Sequence, residues 1–142
     1  MRSRQTVEIN GKTVTEEDMW PWLSTAFEGG SNYWIGKVSI SKETRKLHSL
    51  FANEFGNTVT AWRWYHQVPF VLAGNSSYKG HELEIDTPDG KYYLTIHKII
   101  EGLYRMSQES PRHYQDLVDE NYDAITADVF LQYALFDKVI FG

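Results

Sequence analysis

The sequence predicts an α+β domain, with a mixed, mainly antiparallel sheet packed against about four helices. Three observations point to it. Short stretches of period-two alternation lie at residues 6–15, 33–40 and 81–94, and stretches of 3.6-residue periodicity lie between and after them. Tight-turn signals sit inside two of the alternating stretches, which pairs sequential strands antiparallel. At 142 residues the chain has the size of one domain with one core. No repeat, linker or low-complexity run divides it, so residues 1–142 are read as a single domain.

In chain order, Val7, Ile9 and Val14 alternate around Asn10-Gly11, a pair suited to a two-residue hairpin turn. Met19, Trp20, Leu23, Ala26 and Phe27 then share one helix face. Pro21 would break a helix begun at Thr15, so Asp18 is the expected N-cap; Pro21 then falls at the third helical position, where its missing N–H costs no bond. The helix is expected to end near Glu28, capped by Gly29-Gly30. Residues 33–40 read as a strand with Tyr33, Ile35, Val38 and Ile40 changing face around a bulge at Gly36. Ser41 is placed to cap a second helix that carries Leu47, Leu50, Phe51 and Phe55 and ends at Gly56-Asn57.

Residues 58–68 read as a long strand, with Trp62, Trp64, His66 and Val68 on one face and Arg63, Tyr65 and Gln67 on the other. Pro69 ends or bends it. An apolar run at 70–73 and a polar loop at 74–80 follow. Residues 81–86 and 91–94 flank Thr87-Pro88-Asp89-Gly90, the clearest turn signal in the chain, with proline supplying a fixed φ and glycine a positive one. From Thr95 the period becomes helical, with Ile96, Ile99, Ile100, Leu103 and Tyr104 on one face as far as Ser110. Pro111 opens a shorter helix, and Asp123 caps a last one that aligns Val129, Phe130, Tyr133 and Ala134. Residues 139–141 are expected to close the fold as a terminal strand.

Composition narrows the function. The formal net charge is −5, which disfavours general nucleic-acid binding, because counterion release needs clustered Lys and Arg. With no cysteine, disulfides, thiolate metal sites and cysteine nucleophiles are excluded, in keeping with a reducing cytoplasm. Neither a signal-type N-terminal segment nor a bilayer-length apolar run is apparent, so secretion and membrane insertion are not expected. The five histidines show no HExxH pattern and no i, i+4 pair, and no metal or other cofactor is implied. Asp116, Asp119, Glu120 and Asp123 lack calcium-loop spacing and read as a solvated helix face ending in a cap.

The surplus lies in aromatics, with five Trp, nine Tyr and seven Phe; such rings serve both cores and binding surfaces. The sharpest local feature joins Gly29, Gly30, Asn32, Tyr33 and Trp34. Accessible backbone N–H groups, an amide and two rings could stack a base and bond its polar edge. A helix cap leading into a core strand is the structural alternative. Arg63 and Tyr65 form a second candidate, able to pair a phosphate or stack on a base.

The segments AFEGGSNYW and ADVFLQYALFDKVIFG resemble a family of small proteins encoded by tailed phages and prophages, without assigned activity. The resemblance implies a phage accessory protein acting in the host cytoplasm, of a kind that often counters bacterial defence. It carries over no functional residue. Three readings follow. The first is a non-catalytic protein, expected as a homo-oligomer, that sequesters a small nucleotide-like ligand at Gly29, Gly30, Asn32, Tyr33 and Trp34, with Arg63 and Tyr65 as further candidates. The second is a protein-interaction inhibitor whose acidic surface engages a host defence or nucleic-acid-binding protein. The third is a nucleotide hydrolase with His66 or His81 as general base. It ranks last, because no two catalytic partners stand at a recognisable spacing.

Overall fold

A computed structural model describes residues 4–42, 65–74, 79–80 and 83–142. Its elements are α+β, and those among the described residues form two separate antiparallel sheets rather than one. The first is a hairpin of β1 (Thr6–Ile9) and β2 (Lys12–Thr15), in register from Thr6↔Thr15 to Ile9↔Lys12. Asn10 and Gly11 take φ of 53° and 79° at its turn, the left-handed pair that matches strand twist.

Helix α1 (Glu16–Thr25) begins earlier than expected. Its N-cap is Thr15, whose Oγ1 accepts from the Asp18 N–H while the Asp18 carboxylate accepts from the Thr15 N–H, at 3.2 and 2.9 Å. That capping box satisfies two otherwise orphaned donors. It leaves Pro21 inside the helix. The carbonyl that loses its intrahelical donor is that of Glu17, an exposed residue where water can serve instead. Burial of Met19, Trp22 and Leu23 favours the helix regardless. The three acidic residues of the first turn lie at the positive end of the helix dipole. Among them Glu16 is fully buried, accepting from the Gln5 N–H at 2.7 Å and facing the Arg4 guanidinium at 3.6 Å.

The end of α1 also differs. It widens into a π-helical turn, Ala26–Gly30, closed by the Ser31 N–H on the Ala26 carbonyl at 2.9 Å. Gly29-Gly30 is therefore not a left-handed cap. Residues 31–34 continue as turn, with the Trp34 and Ile35 N–H groups both on the Ser31 carbonyl. The strand β3 is confined to Lys37–Ile40, which leaves Tyr33 and Ile35 outside it.

The second sheet runs in the order β3-β4-β5, with β4 at Leu83–Thr87 and β5 at Gly90–Tyr93. Its hairpin is the one expected, with Gly90 at φ 123° and Thr87 accepting from the Asp89 N–H. Ile40, Leu83 and Ile85 are buried. On the opposite face Glu84 gathers Ser39, Tyr93 and Lys91.

The expected second helix lies outside the described residues, as does 58–64 of the expected long strand. Its remainder is helical. Tyr65–Gln67 is a 3₁₀ turn, α2 spans Val68–Val71, and Leu72–Gly74 is a second 3₁₀ turn. Pro69 sits in the first turn of α2, where no N–H is required. Val68, Phe70, Val71 and Leu72 are all buried; a short apolar run of this kind does not reveal its period.

Helix α3 (Ile96–Glu109), capped by Thr95, and α4 (Pro111–Val118) lie where the sequence places them. Helix α5 (Ala124–Phe136) is capped by Asp123 and buried continuously from Thr126 to Leu135, which makes it the central element. Gly102 lets α3 approach it, because a Cβ there would lie 2.5 Å from the Tyr133 carbonyl oxygen. Trp22 of α1 meets Phe130 of α5 edge-on at 5.5 Å. Residues 139–141 form no strand; they are held by a side chain of α5 instead.

Candidate functional site

A helix buried on every side should be apolar throughout, yet α5 carries Asp128 and Gln132, 5% and 0% exposed. Spaced i, i+4, they share one side of the helix. That side meets the turn after α1. Asp128 Oδ1 accepts from Ser31 Oγ and Trp34 Nε1, each at 2.7 Å. Its Oδ2 accepts from the Tyr33 hydroxyl at 2.5 Å and from Gln132 Nε2 at 3.1 Å. All four partners donate, as the acceptor-only oxygens of a carboxylate require. The π-helical turn positions Ser31, Tyr33 and Trp34 on one centre.

Gln132 extends the network to residues after α5. Its Oε1 accepts from the Ile140 and Phe141 N–H groups, both at 2.8 Å, and its Nε2 donates to the Phe141 carbonyl at 3.1 Å. Phe141 then lies flat on Trp34, with centroids 5.1 Å apart and planes 9° apart, while Phe136 closes in at 5.5 Å. Residues 26–34 and 127–142 thus meet in one polar and aromatic unit.

The expected ligand residues divide within this unit. Gly29 and Asn32 are exposed, and a Cβ on Gly29 would enter open space. Gly30 is packed, because a Cβ there would collide with the Ala124 carbonyl oxygen. Trp34 is 3% exposed, its indole turned into the core rather than towards solvent. Tyr33 is 61% exposed over its ring although its hydroxyl is engaged. Burial of that hydroxyl, with the Asp128 bond and charge, pushes its pKa up to about 12. Tyr65 lies in the 3₁₀ turn, partly buried against the core. Arg63 lies outside the described residues. Of the histidines considered as a base, burial pushes His66 down to about 4, and His81 lies outside the described residues.

Two grooves lie elsewhere among the described residues. An open groove of about 620 Å³ runs between β2, α1 and the α4–α5 connection. Four carboxylates line it, Glu17 and Asp18 from α1 and Glu120 and Asp123 from the connection, against one ammonium, Lys12. Lys12 Nζ donates to the Val118 carbonyl at 3.2 Å, fastening the hairpin to the end of α4. Hydrogen bonds from Thr126, first from its N–H and then from its hydroxyl, hold Asp123 below the usual carboxylate range. Trp22 and Tyr122 supply aromatic wall. Sequence reading found the acidic run around Glu120 and Asp123 but not its meeting with Glu17 and Asp18, since long-range proximity leaves no local signal. A second groove of about 540 Å³ lies along α3 beside Tyr104 and Arg105. Among the described residues, no helix is long and apolar enough to cross a membrane.

Comparison with protein-family models, curated proteins and solved structures gave no match.

Proposed function

We propose that the chain is a non-catalytic binding protein whose acidic groove receives a basic segment of a partner protein. The observation that supports this is the convergence of four carboxylates from two separate elements on one concavity whose lining holds one ammonium, with Arg4 pairing Glu17 at 3.1 Å from outside that lining. A groove lined by one sign of charge steers and retains the opposite sign. Lys12 keeps its charge while donating to the Val118 carbonyl, and Arg4 pairs with Glu17 at 3.1 Å, so the lining carries its unpaired negative charge on Asp18, Glu120 and Asp123. The phage-type resemblance supports a partner in a bacterial host, where a nucleic-acid-binding or defence protein would present such a basic segment.

The test is titration with a short Lys/Arg-rich peptide, comparing the wild type with the Glu17→Gln/Glu120→Gln double variant. Asp18 and Asp123 are left intact because they cap helices. Binding should weaken as salt rises, and the double variant should lose roughly tenfold in affinity, equivalent to about 1.4 kcal/mol. Equal affinity of the two proteins, or binding indifferent to salt, would contradict the reading.

A second reading keeps a small nucleotide-like ligand. It is favoured by the shared exposure of Gly29, Asn32 and the Tyr33 ring next to the Asp128 unit. Mass spectrometry of small molecules released from protein incubated in a lysate of phage-infected bacteria separates the two. A specifically retained nucleotide supports sequestration, and an empty protein that binds the basic peptide supports the groove.

A further inference from the structure

We infer that residues 137–142 are an exchangeable strap, and that the slot they fill, between Trp34 and Gln132, accepts the same residues from a second copy of the chain. The slot is built without the strap. Trp34 is oriented by its Nε1 bond to Asp128, and Gln132 by its Nε2 bond to the same carboxylate. These two bonds to Asp128 do not involve the strap. The strap itself is attached to Gln132 and Tyr33 through backbone groups of Ile140 and Phe141, and to Trp34 through one stacked ring. A second copy presents those same groups in the same order, so the fit is assured by identity. Exchanging an identical element is a low-cost route to a dimer.

Two further observations favour exchange. The strap leaves α5 through Asp137, a non-glycine residue at φ 62°, a conformation that strains an L side chain and that an opened hinge releases. Within the strap, Val139 and Ile140 are 45% and 41% exposed. That apolar surface faces solvent in one copy and is covered when two straps cross.

The experiment compares the wild type with Asp137→Gly and Asp137→Val. Both substitutions remove the 3.9 Å ion pair with Arg105, so loss of that pair does not contribute to the difference between them. Asp137 is exposed, and neither change disturbs the core. Light scattering over a range of concentrations should show more dimer for Asp137→Val, whose branched side chain resists positive φ, and less for Asp137→Gly, which accepts it. Their dimerisation constants should differ roughly five- to thirtyfold. In mixtures of isotope-labelled and unlabelled wild type, filtered NMR should detect contacts between the Trp34 indole and the Phe141 ring across chains. Monomers for all three proteins, or dimers whose Trp34–Phe141 contacts are all within one chain, would overturn the inference.

Discussion

Asp128 concentrates the cost of the fold into one side chain. A buried carboxylate is tolerated only where donors surround it, and Ser31, Tyr33, Trp34 and Gln132 do so. Asp128→Ala leaves buried donors without an acceptor, and we expect it to destabilise the protein by roughly 3–5 kcal/mol, measured as a fall in the urea midpoint. Ser31→Ala removes one donor of four and should cost about 1 kcal/mol. Equal small losses would show that the network is not what joins the two segments. His66 provides a pH test. Its folded pKa of about 4 lies below the ordinary 6.5, so the unfolded chain takes up a proton that the folded one resists. The stabilisation is complete above pH 6.5 and is lost as pH falls towards 4. Between those limits the wild type should lose on the order of 2 kcal/mol more than a His66→Gln variant. Parallel losses in the two proteins would contradict the assignment.

At the scale of elements, the two glycines of the π-helical turn make opposite predictions. Gly30 lies against the Ala124 carbonyl of α5, whereas Gly29 faces open space, and neither has a positive φ. Gly30→Ala should cost about 1–3 kcal/mol through overpacking. Gly29→Ala should be neutral or stabilise by up to about 1 kcal/mol, by restricting the unfolded chain. Thermal unfolding of the two variants decides it, and similar effects of both would place the turn elsewhere. Much of the secondary structure was legible in sequence because its signals are local: Asn10-Gly11, Pro88-Asp89-Gly90, Thr95 and Asp123 each act within a few residues. Where sequence reading failed, a competing local signal or a distant contact decided the outcome. Thr15 and Asp18 formed a capping box that outweighed Pro21. Tyr33 and Trp34 were drawn out of strand geometry by Asp128, 94 or more residues away. Residues 139–141 spent their backbone groups on Gln132 rather than on a sheet edge. Of the candidate site, the grouping of residues 29–34 was legible from composition. Which rings turn inward was not, since alternation assumes a strand that is absent there.

For the molecule as a whole, the division of labour between its two polar features follows from exposure. The Asp128–Gln132 unit is largely buried, and it holds the turn after α1 and residues 140–141 against α5. The groove is open, with its negative charge reaching solvent. A partner recognised electrostatically would meet the second feature, and the first would keep α1 and α5 in the relative position that forms it. The most direct measurement is a titration of ¹⁵N-labelled protein with a Lys/Arg-rich peptide, following every backbone amide. Shifts concentrated on residues 12–25 and 117–124, fading as salt is raised, are the expected result. Shifts concentrated on residues 29–34, or none at all, would contradict the groove as the binding surface.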